Sequence, residues 1–183
     1  MTEHLSDEVI REARLGKPES VARLCVAHYA KVLKYMRYRV DAAAAEDLTN
    51  EVFLRVLRHL GEQKGSFAAW LYRIAGNVVT DHIRARATRR ETALEVEPVE
   101  GARHVETPPA ALDRQTEIEK GLAALTDEQR ELVTLKFIQG LSNAEIAEVT
   151  GRSAEAVRGL QFRALKALRE ALERRGEGEG HDA

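Results

Sequence analysis

Between Ser142 and Leu172 the chain carries the signals of two helices hinged on one glycine, a pattern that few folds can satisfy. Ser142-Asn-Ala-Glu145 is a capping box, in which the hydroxyl and the acid reciprocally satisfy free backbone N–H groups at a helix start. Ala147 is small, as it must be where two helices nearly touch, and Gly151 can take the turn conformation that other residues resist. Val157 and Leu160 then return a second helix to the core. Residues Asn143 to Phe162 thus have the spacing of a DNA-binding helix-turn-helix. On a helical wheel Val157, Leu160, Ala164, Leu165, Leu168 and Leu172 form the apolar side, expected to be buried. Arg158, Gly159, Phe162, Arg163 and Lys166 face outward, which sets an aromatic ring on a cationic surface. Phe162 either folds against a neighbouring helix or packs on a thymine methyl while the arginines address guanines and phosphates. The unit alone names no function, because many repressors and activators share it.

Further helices precede it. Apolar residues recur at helical spacing from Glu19 to Val40, through Val21, Leu24, Cys25, His28, Val32 and Met36. A second helix runs from about Ala42 to Leu60 on the stripe Leu48, Val52, Val56, Leu60, and stops at Gly61. After a short polar loop, Gly61 to Gly65, Ser66 is a natural N-cap for a third helix carrying Phe67, Trp70, Leu71, Ile74 and Val78. Three amphipathic helices with short connections can share one core. Thr126-Asp-Glu-Gln129 is another capping box, and Gly140 marks a helix stop before the helix-turn-helix. The lone cysteine, Cys25, excludes an internal disulfide and is expected to be a buried core thiol. No apolar run approaches the ~18–20 residues that span a bilayer. Met1 to Ile10 has acids and no apolar core, so it does not read as a secretory signal, and the setting reads as cytoplasmic.

Charge is segregated, although the net value is only −2. Lys31, Lys34, Arg37 and Arg39 form one basic run, and Arg84, Arg86, Arg89 and Arg90 a second. Arg158, Arg163, Lys166, Arg169, Arg174 and Arg175 form a third. Acids gather at Glu91, Glu95, Glu97, Glu100 and Glu106, among Pro98, Gly101, Pro108 and Pro109, so residues 91–112 read as an extended acidic linker. Such a pattern suits a protein that meets nucleic acid with some faces and a protein partner with others. The expected architecture is all-α: a helical bundle over residues 1–90, the linker, a helix-turn-helix domain over 113–175, and a Gly/Glu-rich disordered tail over 176–183.

Two polar faces of the N-terminal block stand out. On the helix from Ala42 to Leu60, Asp47, Asn50, Glu51, Arg55 and Arg58 lie away from the core with Leu54 in their midst. One exposed leucine is ordinary, yet a leucine framed by such groups also suits a helix-on-helix protein contact. On the next helix Arg73, Asn77, Thr80 and Arg84 fall at i, i+4, i+7 and i+11, opposite the apolar side. Such residues at such spacing can line a nucleic-acid groove, the alternative being a solvated face.

Residues Ala45 to Leu60 (AEDLTNEVFLRVLRHL) and Trp70 to Asn77 (WLYRIAGN) resemble region 2 of extracytoplasmic-function (ECF) sigma factors, and Leu125 to Leu172 resembles their region 4. The resemblance implies an all-helical promoter-reading subunit of RNA polymerase, with no cofactor, no metal and no membrane insertion. It implies that Asp47, Asn50, Glu51, Leu54, Arg55 and Arg58 bind the β′ clamp helices of core polymerase. The loop Gly61 to Ser66 and the following helix would open the promoter −10 element and hold a flipped base, with Arg73, Asn77, Thr80 and Arg84 on or near that DNA. Region 4 would bind the β flap and read the −35 element through Arg158, Gly159, Phe162, Arg163 and Lys166. The linker would thread toward the active-site cleft, and a dedicated anti-sigma factor is implied as a further partner. Members often carry Ser at Gly159 and Gln at Asn50, and often a longer loop between the two helices.

Two other classes fit less well. A helix-turn-helix regulator acting without core polymerase needs a sensor or dimerisation domain, where this chain has the sigma-like block. An enzyme needs a constellation. His4, His28, His59, His82, His104 and His181 make no metal-ligand spacing, and the adjacent Asp81 and His82 point about 100° apart on a helix. If Leu54 is a partner contact, Leu54→Ala combined with Asp47→Ala weakens core-polymerase binding, since covering a leucine fully is worth about 1.5–3 kcal/mol. Helicity and melting temperature stay nearly unchanged; unfolding of the double variant would make Leu54 a core residue instead.

Overall fold

The computed structural model describes residues 7–92, 118 and 120–179, and among these every regular element is helical. The helices fall into two compact units, one before residue 93 and one from residue 118 onward.

In the N-terminal unit, α1 (Asp7–Arg14) opens with Asp7 and Glu8 and closes with Arg11 and Arg14, each charge set to suit the helix dipole. Its Val9 and Ala13 are buried against α2. The sequence pattern does not announce this helix, since Val9 and Ala13, at i and i+4, are too few to show as a stripe. Glu12 accepts hydrogen bonds from Lys17 Nζ at 2.5 Å and Ser20 Oγ at 2.7 Å, which hold its carboxyl below the usual range and fasten the turn into α2.

Pro18, at the first turn of α2 (Pro18–Arg39), supplies a φ already suited to a helix. Asp41 caps α3 (Ala42–His59), its carboxylate accepting from the Ala44 N–H at 3.1 Å. A single 3₁₀ turn, Leu60–Glu62, follows. Ser66 caps α4 (Phe67–Thr92), accepting from the Ala69 N–H at 3.3 Å. α3 and α4 pack on each other and both on α2, burying Leu24, Val32, Tyr35 and Met36 of α2, Val52 and Val56 of α3, and Leu71, Ala75, Val78 and Val79 of α4. The polar loop before α4 is less exposed than its composition suggests. Gln63 is buried, its amide donating to the Gly65 carbonyl at 2.8 Å, while Gly65 takes the left-handed conformation.

In the C-terminal unit, α5 (Asp127–Val133) begins at the capping box of Thr126 and Gln129, both of whose bonds are formed. Arg130 reaches back to the carbonyls of Leu122 and Leu125, satisfying the end of the preceding helical stretch. Thr134–Ile138 widen into a π-helical turn. α6 (Asn143–Thr150) and α7 (Ala154–Glu179) follow, and α5 packs on α7.

Three expectations need correction. Cys25 is half-buried rather than a core thiol, because the buried seam of α2 runs through Leu24, Val32 and Met36 and leaves Cys25 at its margin. Leu165 and Leu172 are 43% and 48% exposed. The buried line of α7 runs through Val157, Leu160, Ala164 and Ala171, and Leu165 and Leu172 lie roughly 90–110° around the helix from its centre. The helical backbone also continues through residues 176–179, where composition predicts disorder. Extending a formed helix adds one bond per residue without the cost of nucleation, so the two glycines there are tolerated. The linker expected over residues 91–112 begins inside α4, which ends at Thr92; residues 93–112 and 180–183 lie outside the described residues.

Burial separates neighbours on α2 sharply: Leu24 is 0% exposed and Val26 79%. Leu24→Ala is therefore expected to cost about 2–5 kcal/mol by urea denaturation, and Val26→Ala less than about 0.5 kcal/mol. Similar losses at both positions would mean that the α2 seam is misassigned.

His28 gives a pH signature. Its ring lies edge-on to Phe67 at 5.0 Å and donates from Nδ1 to the Leu24 carbonyl at 3.0 Å. Burial, aided by Lys31, holds its pKa below the ordinary 6.5 despite that bond. The unfolded chain then binds the extra proton first, so stability is intact above the unfolded pKa and declines as pH falls below about 6.5 toward the lowered native value. His28→Gln is expected to flatten that limb in urea midpoints taken between about pH 7.5 and 5.5; an unchanged slope would remove His28 as its source.

Candidate functional site

Each face singled out in the sequence is set by the buried side opposite it. On α4, Leu71, Ala75, Val78 and Val79 are at most 1% exposed, which turns Arg73, Asn77, Thr80 and Arg84 to the surface. These four fall within an arc of about 60°, and all are exposed. The Thr80 hydroxyl donates to the Gly76 carbonyl at 2.9 Å, so its oxygen is left as an acceptor toward the surface. Farther along, Arg86 is held by Asp41 at 2.5 Å, while Arg84 and Arg89 extend the exposed basic edge.

On α3 the buried positions Ala45, Leu48, Val52 and Val56 leave Asp47, Asn50, Leu54 and Arg58 exposed, with Glu51 and Arg55 half-buried. Leu54 is 54% exposed and so is not a core residue. Leu57 stands exposed close by on the same face, an apolar contribution that the pattern reading passes over. Asn50 accepts a hydrogen bond from Tyr29 of α2 at 3.0 Å, and Tyr29 stacks on Phe53 with centroids 5.6 Å apart. The face is thus ordered before any partner arrives. Arg55 differs from its neighbours in that its guanidinium is already engaged, with Glu51 at 2.6 Å and Asp81 of α4 at 3.1 Å.

In the C-terminal unit the helix-turn-helix geometry is complete. Ser142 Oγ accepts from the Glu145 N–H at 3.2 Å, and the Glu145 carboxylate accepts from the Ser142 N–H at 2.9 Å. Gly151 closes α6 with φ +68°; nothing lies within 4 Å of where a Cβ would sit, so the backbone angle alone demands glycine. Arg152 in the turn is tied to Glu128 of α5 at 2.5 Å. Val157, Leu160 and Ala164 are buried, and Arg158, Phe162, Arg163 and Lys166 project from the other side. Phe162 is 72% exposed, which removes the reading in which it folds against a neighbouring helix. Gly159 lies between them, with only Arg163 near the position of a Cβ, at 3.6 Å. A side chain fits there at ordinary van der Waals distance.

Two helical units, one presenting a hydrogen-bonding and cationic stripe and the other a complete helix-turn-helix, define a DNA-facing transcription protein. Residues 24–89 match the Sigma-70 region 2 family and residues 115–168 match Sigma-70, region 4. The ECF RNA polymerase sigma factor BldN of Streptomyces coelicolor is 38% identical over 178 residues, covering 90% of this chain. The chain spans 65% of the length of that relative. The ECF RNA polymerase sigma factor SigC of Mycobacterium tuberculosis is 32% identical over 161 residues, covering 85% of each chain. In fold, the chain is similar to the sigma factor RpoE solved in complex with the anti-sigma factor NepR from Bartonella quintana, with a TM-score of 0.67, 18% identity and coverage of 83% and 96% of the two chains. The chain belongs to the ECF RNA polymerase sigma factors.

Among the described residues, no helix is long and apolar enough to cross a membrane, and no group of three His, Cys, Asp or Glu side chains could hold a metal ion.

Proposed function

We propose that the three faces divide promoter-dependent initiation among them. The α3 face of Asp47, Asn50, Glu51, Leu54 and Arg58 docks on the β′ clamp helices of core RNA polymerase, while Arg55, already held by Glu51 and Asp81, stays out of that contact. The α4 stripe of Arg73, Asn77, Thr80 and Arg84 lies on the −10 element beside the Gly61 to Ser66 loop. The outward face of α7, with Arg158, Gly159, Phe162, Arg163 and Lys166, reads the −35 element, and the same unit meets the β flap. The units act as separate domains, 1–90 and 113–175, with residues 91–112 as the connection between them. The chain works in the cytoplasm as a subunit of the polymerase and brings no catalytic centre of its own. An anti-sigma factor is its natural regulator, as a structural neighbour is solved with one.

The observation that carries this reading is Phe162. A ring left 72% exposed among three cationic side chains gains nothing in the free protein and gains most against a base. Run-off transcription with core polymerase, followed by mapping of start sites, tests the whole assignment: specific starts are expected only when chain and core are combined. DNA binding with no dependence on core would favour a regulator acting alone.

Within α7 the members are expected to differ. Phe162→Ala reduces preference for a thymine at one position by about 0.8 kcal/mol, the worth of one covered methyl, with little change in salt dependence. Lys166, 3.8 Å from Glu170, lies further along and is expected to bind phosphate. Lys166→Ala then weakens all sequences alike and flattens the salt slope by roughly one unit. Binding-site selection at two salt concentrations measures both, and uniform losses with an unchanged selected sequence would reduce this face to an electrostatic anchor.

A further inference from the structure

Arg55 sits on the α3 face, yet its chemistry is turned sideways. One end of the guanidinium donates to Glu51 on its own helix at 2.6 Å, and the other donates to Asp81 on α4 at 3.1 Å. The side chain is only 32% exposed. Asp81 directly follows Thr80 and stands three residues before Arg84, at the edge of the stripe assigned to the −10 element. Arginine suits this place because its planar, always-charged fork can hold two carboxylates in a fixed geometry.

We propose that Arg55 is a positioning residue rather than a partner contact: with Glu51 and Asp81 it forms a carboxylate–guanidinium–carboxylate brace that sets the roll of α4 against α3, and so aims the DNA-facing stripe relative to the polymerase-docking face. The proposal rests on the assignment of those two faces given above.

The packing shows why a brace is needed. Beyond the large groups at its start, Phe67, Leu71 and Tyr72, the core-facing side chains of α4 are small or short, Ala75, Val78 and Val79, which fill space but resist rotation of that part of the helix weakly. Polar ties do what these cannot. Asp81 is one, and Arg86, five residues on and held by Asp41 at 2.5 Å, is a second tie from α4 back to the start of α3. A helix fixed at two points around its circumference cannot roll without breaking one of them. Burial by itself would lower the Arg55 pKa, but the hydrogen bonds to Asp81 and Glu51 raise it above its ordinary value, as expected where both carboxylates face the cation. Since the pair is partly exposed, its contribution to overall stability is small. Aim, not stability, is what its loss changes.

The test uses the full chain with core polymerase and a duplex promoter. Arg55→Gln and Asp81→Asn are each expected to lower open-complex formation about fivefold, with core affinity within about twofold of the parent and helicity and melting temperature nearly unchanged. Asp81→Arg alone brings two guanidiniums together and is expected to be the most defective variant. Adding Arg55→Asp to it restores open complexes to within about twofold of the parent. Weakened core affinity in Arg55→Gln but not in Asp81→Asn, with no rescue by the exchange, would overturn the brace and make Arg55 a direct polymerase contact. Improved opening by Asp81→Arg alone would overturn it too, since Asp81 would then act only by repelling DNA. If Arg55→Gln melts early, Arg55→Lys decides: the brace requires partial opening with normal core affinity, and a full-strength Lys variant contradicts the need for a fork. A parent chain that neither binds core nor opens the promoter would instead retire the assignment of the two faces, a failure distinct from loss of the brace.

Discussion

The N-terminal unit depends on the two-sidedness of α4. Its buried side, Leu71, Ala75, Val78 and Val79, is almost wholly removed from water, and that burial fixes which way the opposite stripe points. Small side chains let α4 approach closely, and the cost of that closeness is a smooth contact with little to stop rotation. Larger groups at the near end of α4 compensate. Tyr72 and Tyr35 meet at 5.4 Å, and Phe67 lies between His28 at 5.0 Å and Trp70 at 5.8 Å. These aromatic contacts anchor the start of the helix, and the ion pairs of Asp81 and Arg86 hold it further along. The core therefore supplies energy and the polar ties supply direction.

The C-terminal unit solves its problem differently. Its first two helices, α5 and α6, are short, and the start of each is fixed by reciprocal capping rather than by a long apolar stripe. Each capping box satisfies two backbone donors that would otherwise need water. Left-handed glycines at 140 and 151 end the segments before them, which fixes where α6 stops and where the turn into α7 begins. A recognition helix needs such limits, because a slip of one residue would rotate Phe162 about 100° away from its cationic neighbours.

How much of this was legible beforehand depended on whether a signal was local. The capping boxes at Thr126 and Ser142, the N-cap at Ser66 and the turn at Gly151 were all readable, since each needs only residue types within four positions of one another. The outward faces of α3, α4 and α7 were readable as well, because helical period converts spacing into direction. Helix α1 was not, as two buried residues on eight do not make a visible stripe. Nor were Leu165 and Leu172: a wheel drawn from hydrophobicity centres the buried arc on the leucines, whereas the buried line passes through Val157, Leu160, Ala164 and Ala171.

The sequence by itself determined the all-helical class, the family and the three faces, because periodicity, capping and glycine turns are properties of short segments. Tertiary structure alone decided which members of a face remain available. Arg55 and Arg86 look like free surface cations in the sequence, yet each is held by a carboxylate at least 26 positions distant, Arg55 by Asp81 and Arg86 by Asp41. Gln63 reads as a polar loop residue and is buried, its amide folded onto Gly65. Phe162 reads in the sequence either as folded against a neighbouring helix or as a contact, and the packing of α7 through Val157, Leu160, Ala164 and Ala171 leaves it in the open. Local spacing fixes direction on one helix; what a side chain meets there is set by another helix, at a sequence distance that no local pattern spans.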